Sequence, residues 1–122
     1  MGGVFIVDDN APFRTVARAV LESGGFRVVG EAATGAAAMV GVPGSAADVV
    51  LLDIGLPDVD GFRVAAQLRQ VAPGAVVVLC SVRDAEHYGG AVERAGVAGF
   101  LPKSLLSAAA VARIMAGQDA RR

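Results

Sequence analysis

A chain of 122 residues fits one domain, read as 1–122, against the usual figure of roughly 100–200 residues per domain, and 54% hydrophobic with 19% charged residues makes a core rather than disorder. Lys and Arg number 11 against 12 for Asp and Glu, a net charge of −1, so no basic field marks direct nucleic-acid binding by this piece. One cysteine excludes an internal disulfide, and no apolar stretch approaches the roughly 20 residues of a membrane helix, so the expectation is a cytoplasmic domain with no membrane partner.

Apolar runs and helical patterns alternate along the chain. Val4–Val7 reads as a strand buried on both faces. Phe13, Val16, Ala17, Val20 and Leu21 follow at helical spacing, with Asn10 as cap, Pro12 in the first turn and Gly24-Gly25 as the stop. Phe26–Ala32 is a second strand, and an alanine-rich helix from about Gly35 to Val42 is broken by Pro43-Gly44. Asp48–Asp53 is a third strand, followed by a loop, Ile54–Gly61, with Pro57 and Gly61 as turn residues and Asp58 and Asp60 as turn and cap residues.

Val64, Leu68 and Val71 mark a helix that ends before Pro73-Gly74, and Ala75–Cys80 is a fourth strand. Asp84–Ala95 is helical in pattern but holds Gly89-Gly90, so it is expected to be the least stable helix. Ala98–Leu101 makes a fifth strand. Ser104 then caps a last helix whose apolar face is Leu105, Ala108, Ala109, Ala112 and Met115. Strictly alternating strands and helices imply a parallel sheet with right-handed crossovers and helices on both faces.

Open sheets of this kind bind ligands beyond the carboxyl ends of their strands. Asp8, Asp9, Asp53, Ser81 and Lys103 all fall just after predicted strands, so all belong to one edge. Three carboxylates there are costly unless they hold a cation or do chemistry, and Mg²⁺ takes such oxygen ligands with water and a phosphate oxygen. A backbone carbonyl near Gly55 can complete the set. The competing reading of Asp8 or Asp9 is a plain helix cap. Asp53, ionised at neutral pH, suits in-line attack on phosphorus, and Lys103, the only lysine, supplies a fixed positive charge. Ser81 can donate a hydroxyl to a phosphoryl oxygen, Cys80 reads as a small core residue, and His87 as a surface residue.

With these residues in place the chain resembles the receiver domain of bacterial two-component response regulators over nearly its whole length. The resemblance rests on Val7-Asp8-Asp9-Asn10, on the run from Leu51 to Gly61 around Asp53, on Ser81 after a strand, and on Gly99-Phe100-Leu101-Pro102-Lys103. It implies a flavodoxin-like α/β three-layer sandwich, with a five-stranded parallel sheet of order 2-1-3-4-5 and five helices. Asp53 would then be the phosphoacceptor, Asp8, Asp9, Asp53 and the Gly55 carbonyl the Mg²⁺ site, Lys103 the family lysine, Ser81 the switch hydroxyl and Phe100 the switch aromatic.

The implied partner is a sensor histidine kinase, and a phosphorylation-dependent homodimer is compatible with it. Val28-Val29-Gly30-Glu31-Ala32 and the segment from Gly99 to Ser104 look most like receivers that precede a helix-turn-helix effector, which this chain lacks. An excised receiver and a natural single-domain regulator both remain open. One departure is visible: many receivers carry proline after the lysine, with a cis bond before it, whereas here Pro102 precedes Lys103 and Ser104 follows. A cis bond to Ser104 would cost about 2.5–4 kcal/mol.

Three functions compete on this sequence: a phosphorylated signalling receiver, expected not to be an enzyme; an aspartyl-phosphate hydrolase; and a receiver-like module that is never phosphorylated. Hydrolases place a second Asp two residues after the nucleophile, where this chain has Gly55, and the complete Asp/Ser/Lys set argues against the third reading.

Overall fold

The structure is a computed structural model that describes residues 2–120. Its strands are β1 (Gly3–Val7), β2 (Arg27–Ala32), β3 (Val49–Asp53), β4 (Val76–Ser81) and β5 (Gly99–Pro102). All pair in parallel, in the order β2-β1-β3-β4-β5. Helices α1 (Ala11–Ser23), α2 (Gly35–Gly41), α3 (Gly61–Val71), α4 (Ala91–Arg94) and α5 (Ala108–Ala120) cover the sheet. The flavodoxin-like architecture expected from the sequence is the one observed.

Successive strand residues point to opposite faces, so each continuous apolar run serves two cores. Phe5, Val7, Val50, Leu52 and Leu79 meet Ala38, Val64 and Leu68 of α2 and α3 on one face. Val4, Ile6, Val49, Leu51 and Val78 meet Ala17, Leu21 and Val111 of α1 and α5 on the other. Leu51 and Leu79 are about fully buried (1% and 0% exposed), and cutting either back to alanine costs about 2–5 kcal/mol.

The helix starts are set by short polar side chains. Asn10 Oδ1 accepts from Phe13 N at 2.8 Å, as its sequence position indicates. Thr34 caps α2, and Asp58 reaches across from the β3–α3 loop to accept from Gly35 N and Ala36 N at 2.9 and 3.0 Å. Asp60 caps α3 through Phe62 N. Gly61 opens that helix rather than lying in the loop. A Cβ there would stand 2.5 Å from Ile54 Cα, so glycine is what lets α3 start against the end of β3.

Two expected helices form differently. The Asp84–Ala95 pattern gives a 3-10 turn, Ala85–Tyr88, then Gly89 at φ +59°, then the four-residue α4. The glycine pair breaks the helix instead of merely weakening it. The last helix is not capped by Ser104: Lys103–Leu105 is a 3-10 turn, Leu106 is extended, and Ser107 Oγ accepts from Ala110 N at 3.0 Å. That detour carries Lys103 toward the sheet edge and leaves Leu105 64% exposed, so α5 buries Ala108 and Val111 instead. Val16 and Val71, which share the apolar helical spacing, are nevertheless 58% and 46% exposed.

Candidate functional site

The chain passes from β1 to β2 on one side and returns to β3 on the other, so the strand order reverses between β1 and β3. At that switch point the carboxyl ends of neighbouring strands open a crevice. Asp8 directly follows β1, Asp53 ends β3, Ser81 ends β4, and Lys103 directly follows β5. Among the described residues, Asp8, Asp53 and Ser81 are the only buried polar or charged ones. Buried polar groups are costly without partners, so their gathering at one edge marks the site.

Asp8, Asp9 and Asp53 each bring a carboxylate oxygen within 4.8 Å of the others, with Asp9 exposed. Asp8 Oδ1 accepts from Asn10 N at 2.9 Å. Asp8 Oδ2 is buried and accepts no hydrogen bond; Lys103 Nζ faces it at 2.6 Å in an ion pair. The same ammonium lies 3.8 Å from Asp53 Oδ1 and 4.4 Å from the centre of the Phe13 ring, a cation–π contact. No described peptide bond is cis, and the trans Lys103–Ser104 link still delivers the lysine. Gly55 N donates to Asp53 Oδ1 at 3.3 Å.

Burial, and next the negative charge of Asp8, hold the Asp53 carboxyl above the ordinary carboxylate range, against the pull of Lys103. Three carboxylates and one ammonium sum to −2 when ionised. A divalent cation neutralises that sum, and the three hard carboxylate donors fit Mg²⁺. Around them lies a cleft of about 380 Å³ that also takes in Asn10, Gly55, Arg83 and Tyr88. A larger cleft of about 460 Å³, bordered by Val42, Pro43, Asp48 and Pro73, holds no such cluster, and Asp48 there accepts from Gly3 N.

The sequence-predicted residues Asp8, Asp9, Asp53, Gly55, Ser81 and Lys103 thus come together. Phe100 stands behind them, half-buried, its ring 6.2 Å from that of Tyr88. Cys80 is core, with burial pushing its thiol up to about 12, and His87 is exposed. Sequence reasoning passed over Tyr88, whose hydroxyl lies 2.5 Å from Ser81 Oγ. It also passed over Phe13 as the lysine's platform, and over Arg14, which donates to the Asp8 carbonyl at 2.6 Å. None lies at a strand end. The one available signal was that Tyr88 is the sole tyrosine.

The family profile of the response regulator receiver domain matches residues 4–115. The chain belongs to the response regulator receiver family. This receiver is 41% identical over 101 residues to a Mycobacterium tuberculosis protein described as "Probable transcriptional regulatory protein NarL", covering 82% of the chain and 47% of that protein. It is 31% identical over 100 residues to the chemotaxis protein CheY of Bacillus subtilis, covering 82% and 83%. The solved signal receiver domain of NarL from M. tuberculosis superposes with a TM-score of 0.85 at 35% identity, covering 95% of this chain and 97% of that one. The receiver spans about half the length of several curated relatives. It is a domain of two-component signalling, and no described helix is long and apolar enough to cross a membrane.

Proposed function

We propose that this receiver accepts a phosphoryl group from the phosphohistidine of a sensor histidine kinase onto Asp53 and thereby switches a distal face. The observation that carries this reading is the Asp53 carboxylate, 7% exposed, at the crevice between two other carboxylates and the Lys103 ammonium. Asp53 attacks phosphorus in line, an O–P bond forms, the P–N bond breaks, and its electron pair stays on the departing imidazole nitrogen. Lys103 is already held at 2.6 Å by Asp8, so it meets the developing charge on the phosphoryl oxygens without reorganising. Asp8, Asp9, Asp53 and the Gly55 carbonyl would hold Mg²⁺, which supplies charge neutralisation on the transferring group.

Switching follows from the new charge. The phosphoryl oxygens draw the Ser81 hydroxyl, and Phe100 adjusts its packing. Moving a state from 1% to 99% occupancy takes about 5.5 kcal/mol, the scale of a few charge-assisted hydrogen bonds. The face that responds is α4, β5 and α5, where the broken Ala85–Arg94 segment buries no residue and offers the least resistance. The receiver is a phosphoacceptor rather than a turnover enzyme, because Gly55 stands where a hydrolase carries its second carboxylate. Similarity to a protein described as a probable transcriptional regulator, over 47% of that protein's length, supports transcriptional control as the output. The effector we propose is a helix-turn-helix domain reached through a phosphorylation-dependent homodimer in the cytoplasm.

Intact mass with acetyl phosphate, with and without Mg²⁺, tests this beside Asp53→Asn. The expected result is one phosphoryl group, dependent on Mg²⁺ and missing from the variant. Labelling of Asp53→Asn at the wild-type rate removes Asp53 as acceptor.

A further inference from the structure

Tyr88 lies outside every element that carries the acidic site, yet its phenol is bonded to the one hydroxyl of that site. Tyr88 Oη is 2.5 Å from Ser81 Oγ, and Arg83 N donates to the same Oγ at 3.1 Å. We propose that Tyr88 is a positioning residue for Ser81: its phenol donates to Ser81 Oγ and thereby aims the serine proton at the phosphoryl group on Asp53. The proposal rests on the Asp53 reading above and adds a residue to it.

The argument is one of hydrogen-bond capacity. A serine hydroxyl has one proton and two acceptor positions. The Arg83 amide fills one position. The 2.5 Å contact allows either hydroxyl to donate, and the phenol, the stronger acid of the two, is assigned as the donor that fills the other. The proton is left with the remaining direction, and the open space beside Ser81 is the cleft it shares with Asp53 and Lys103. A donor chain from phenol to serine to phosphoryl oxygen also strengthens each of its bonds.

The phenol is held for this task. Its ring meets Phe62 of α3 at 5.7 Å and 70°, and Phe100 of β5 at 6.2 Å and 60°, both edge-on. The 3-10 turn ends on Tyr88, and Gly89, at φ +59°, lets the chain leave at once. Phe100 has no hydroxyl of its own, so the hydroxyl reaching Ser81 comes from this turn. Tyr88 is only half-buried and borders an open cleft, where water could satisfy its hydroxyl; the bond to a buried serine is therefore not forced by burial alone.

The test uses Tyr88→Phe, which keeps the ring between Phe62 and Phe100, together with Ser81→Ala and the double variant. With Mg²⁺ and acetyl phosphate, Tyr88→Phe is expected to slow phosphoryl incorporation about three- to tenfold, the worth of one hydrogen bond. In the Ser81→Ala background the same change is expected to do nothing further. An unchanged rate, or an equal slowing without the serine, overturns the proposal. A second readout needs no phosphorylation, because the chain has one tyrosine and no tryptophan. Ser81→Ala should move the near-ultraviolet band of Tyr88 to shorter wavelength as the donated bond is lost. No shift, or a shift the other way, overturns the assignment even if the wild type takes no phosphoryl group, a result that would instead remove the Asp53 reading.

Discussion

Lys103→Met removes the ammonium that faces Asp8 and Asp53 but keeps an apolar stem over Phe13. The ion pair to Asp8 is 2.6 Å long, with the lysine 14% and the aspartate 2% exposed in their side chains. At an effective dielectric near 20, unit charges at that distance attract by about 6 kcal/mol before desolvation. Removing one partner of a buried pair costs about 3–5 kcal/mol, because the other charge is left uncompensated. The residual exposure of Lys103 puts the expected loss at the low end, about 3 kcal/mol in metal-free protein near neutral pH. For a domain of this size that corresponds to a fall in Tm of about 10 °C.

The loss should shrink in acid. Asp53 already titrates above the ordinary carboxylate range, first because it is buried and next because Asp8 faces it. Once Asp53 is protonated, the missing lysine leaves one fewer uncompensated charge behind. Urea unfolding with chelator near neutral pH and again near pH 4 measures both effects, and added Mg²⁺ should recover part of the neutral-pH loss. A variant as stable as wild type at neutral pH, or one whose loss is as large in acid, would refute the electrostatic account.

Asp53→Asn should act in the opposite sense. The raised carboxyl makes a contribution to stability that is complete below the unfolded-state value and is lost as pH rises through the folded-state value. The amide should therefore raise the urea midpoint of metal-free protein at neutral pH, with the gain disappearing in acid; a lowered neutral midpoint contradicts this. Cys80, its thiol pushed up to about 12 by burial, should resist a thiol reagent at mildly alkaline pH until the protein unfolds, so rapid labelling of native protein would show the site open. Asp58→Ala should lower the urea midpoint by uncapping Gly35 N and Ala36 N. Those bonds hold the Asp58 carboxyl below its ordinary value, so the wild-type advantage should be present above the ordinary carboxylate range and vanish as pH falls through the folded-state value.

Much of this receiver was legible because strand ends are local. A continuous apolar run such as Val4–Val7 or Val49–Leu52 announces a strand buried on both faces, and the first polar residue after it must lie at the sheet edge. Asp8, Asp53, Ser81 and Lys103 could therefore be placed at one edge without any knowledge of side-chain contacts. Caps such as Asn10 and Asp60 were legible for the same reason, since they act within one turn.

The remainder depended on contacts between distant segments. Helical spacing marked Val16, Val71 and Leu105 as apolar, but which flank is covered depends on where the neighbouring helices lie. Asp58 caps a helix 22 residues earlier, a partnership no local rule proposes. Lys103 is fixed between Asp8 and Phe13, and Tyr88 meets Ser81 between Phe62 and Phe100, only because the parallel sheet gathers the carboxyl ends of β1, β3, β4 and β5 at one edge, with α3 packed against β3 and β4. Sequence alone settled which residues end the strands, because strand burial is a short-range pattern. Tertiary structure decided which of them touch, because the partners of a charge or a hydroxyl lie on other elements.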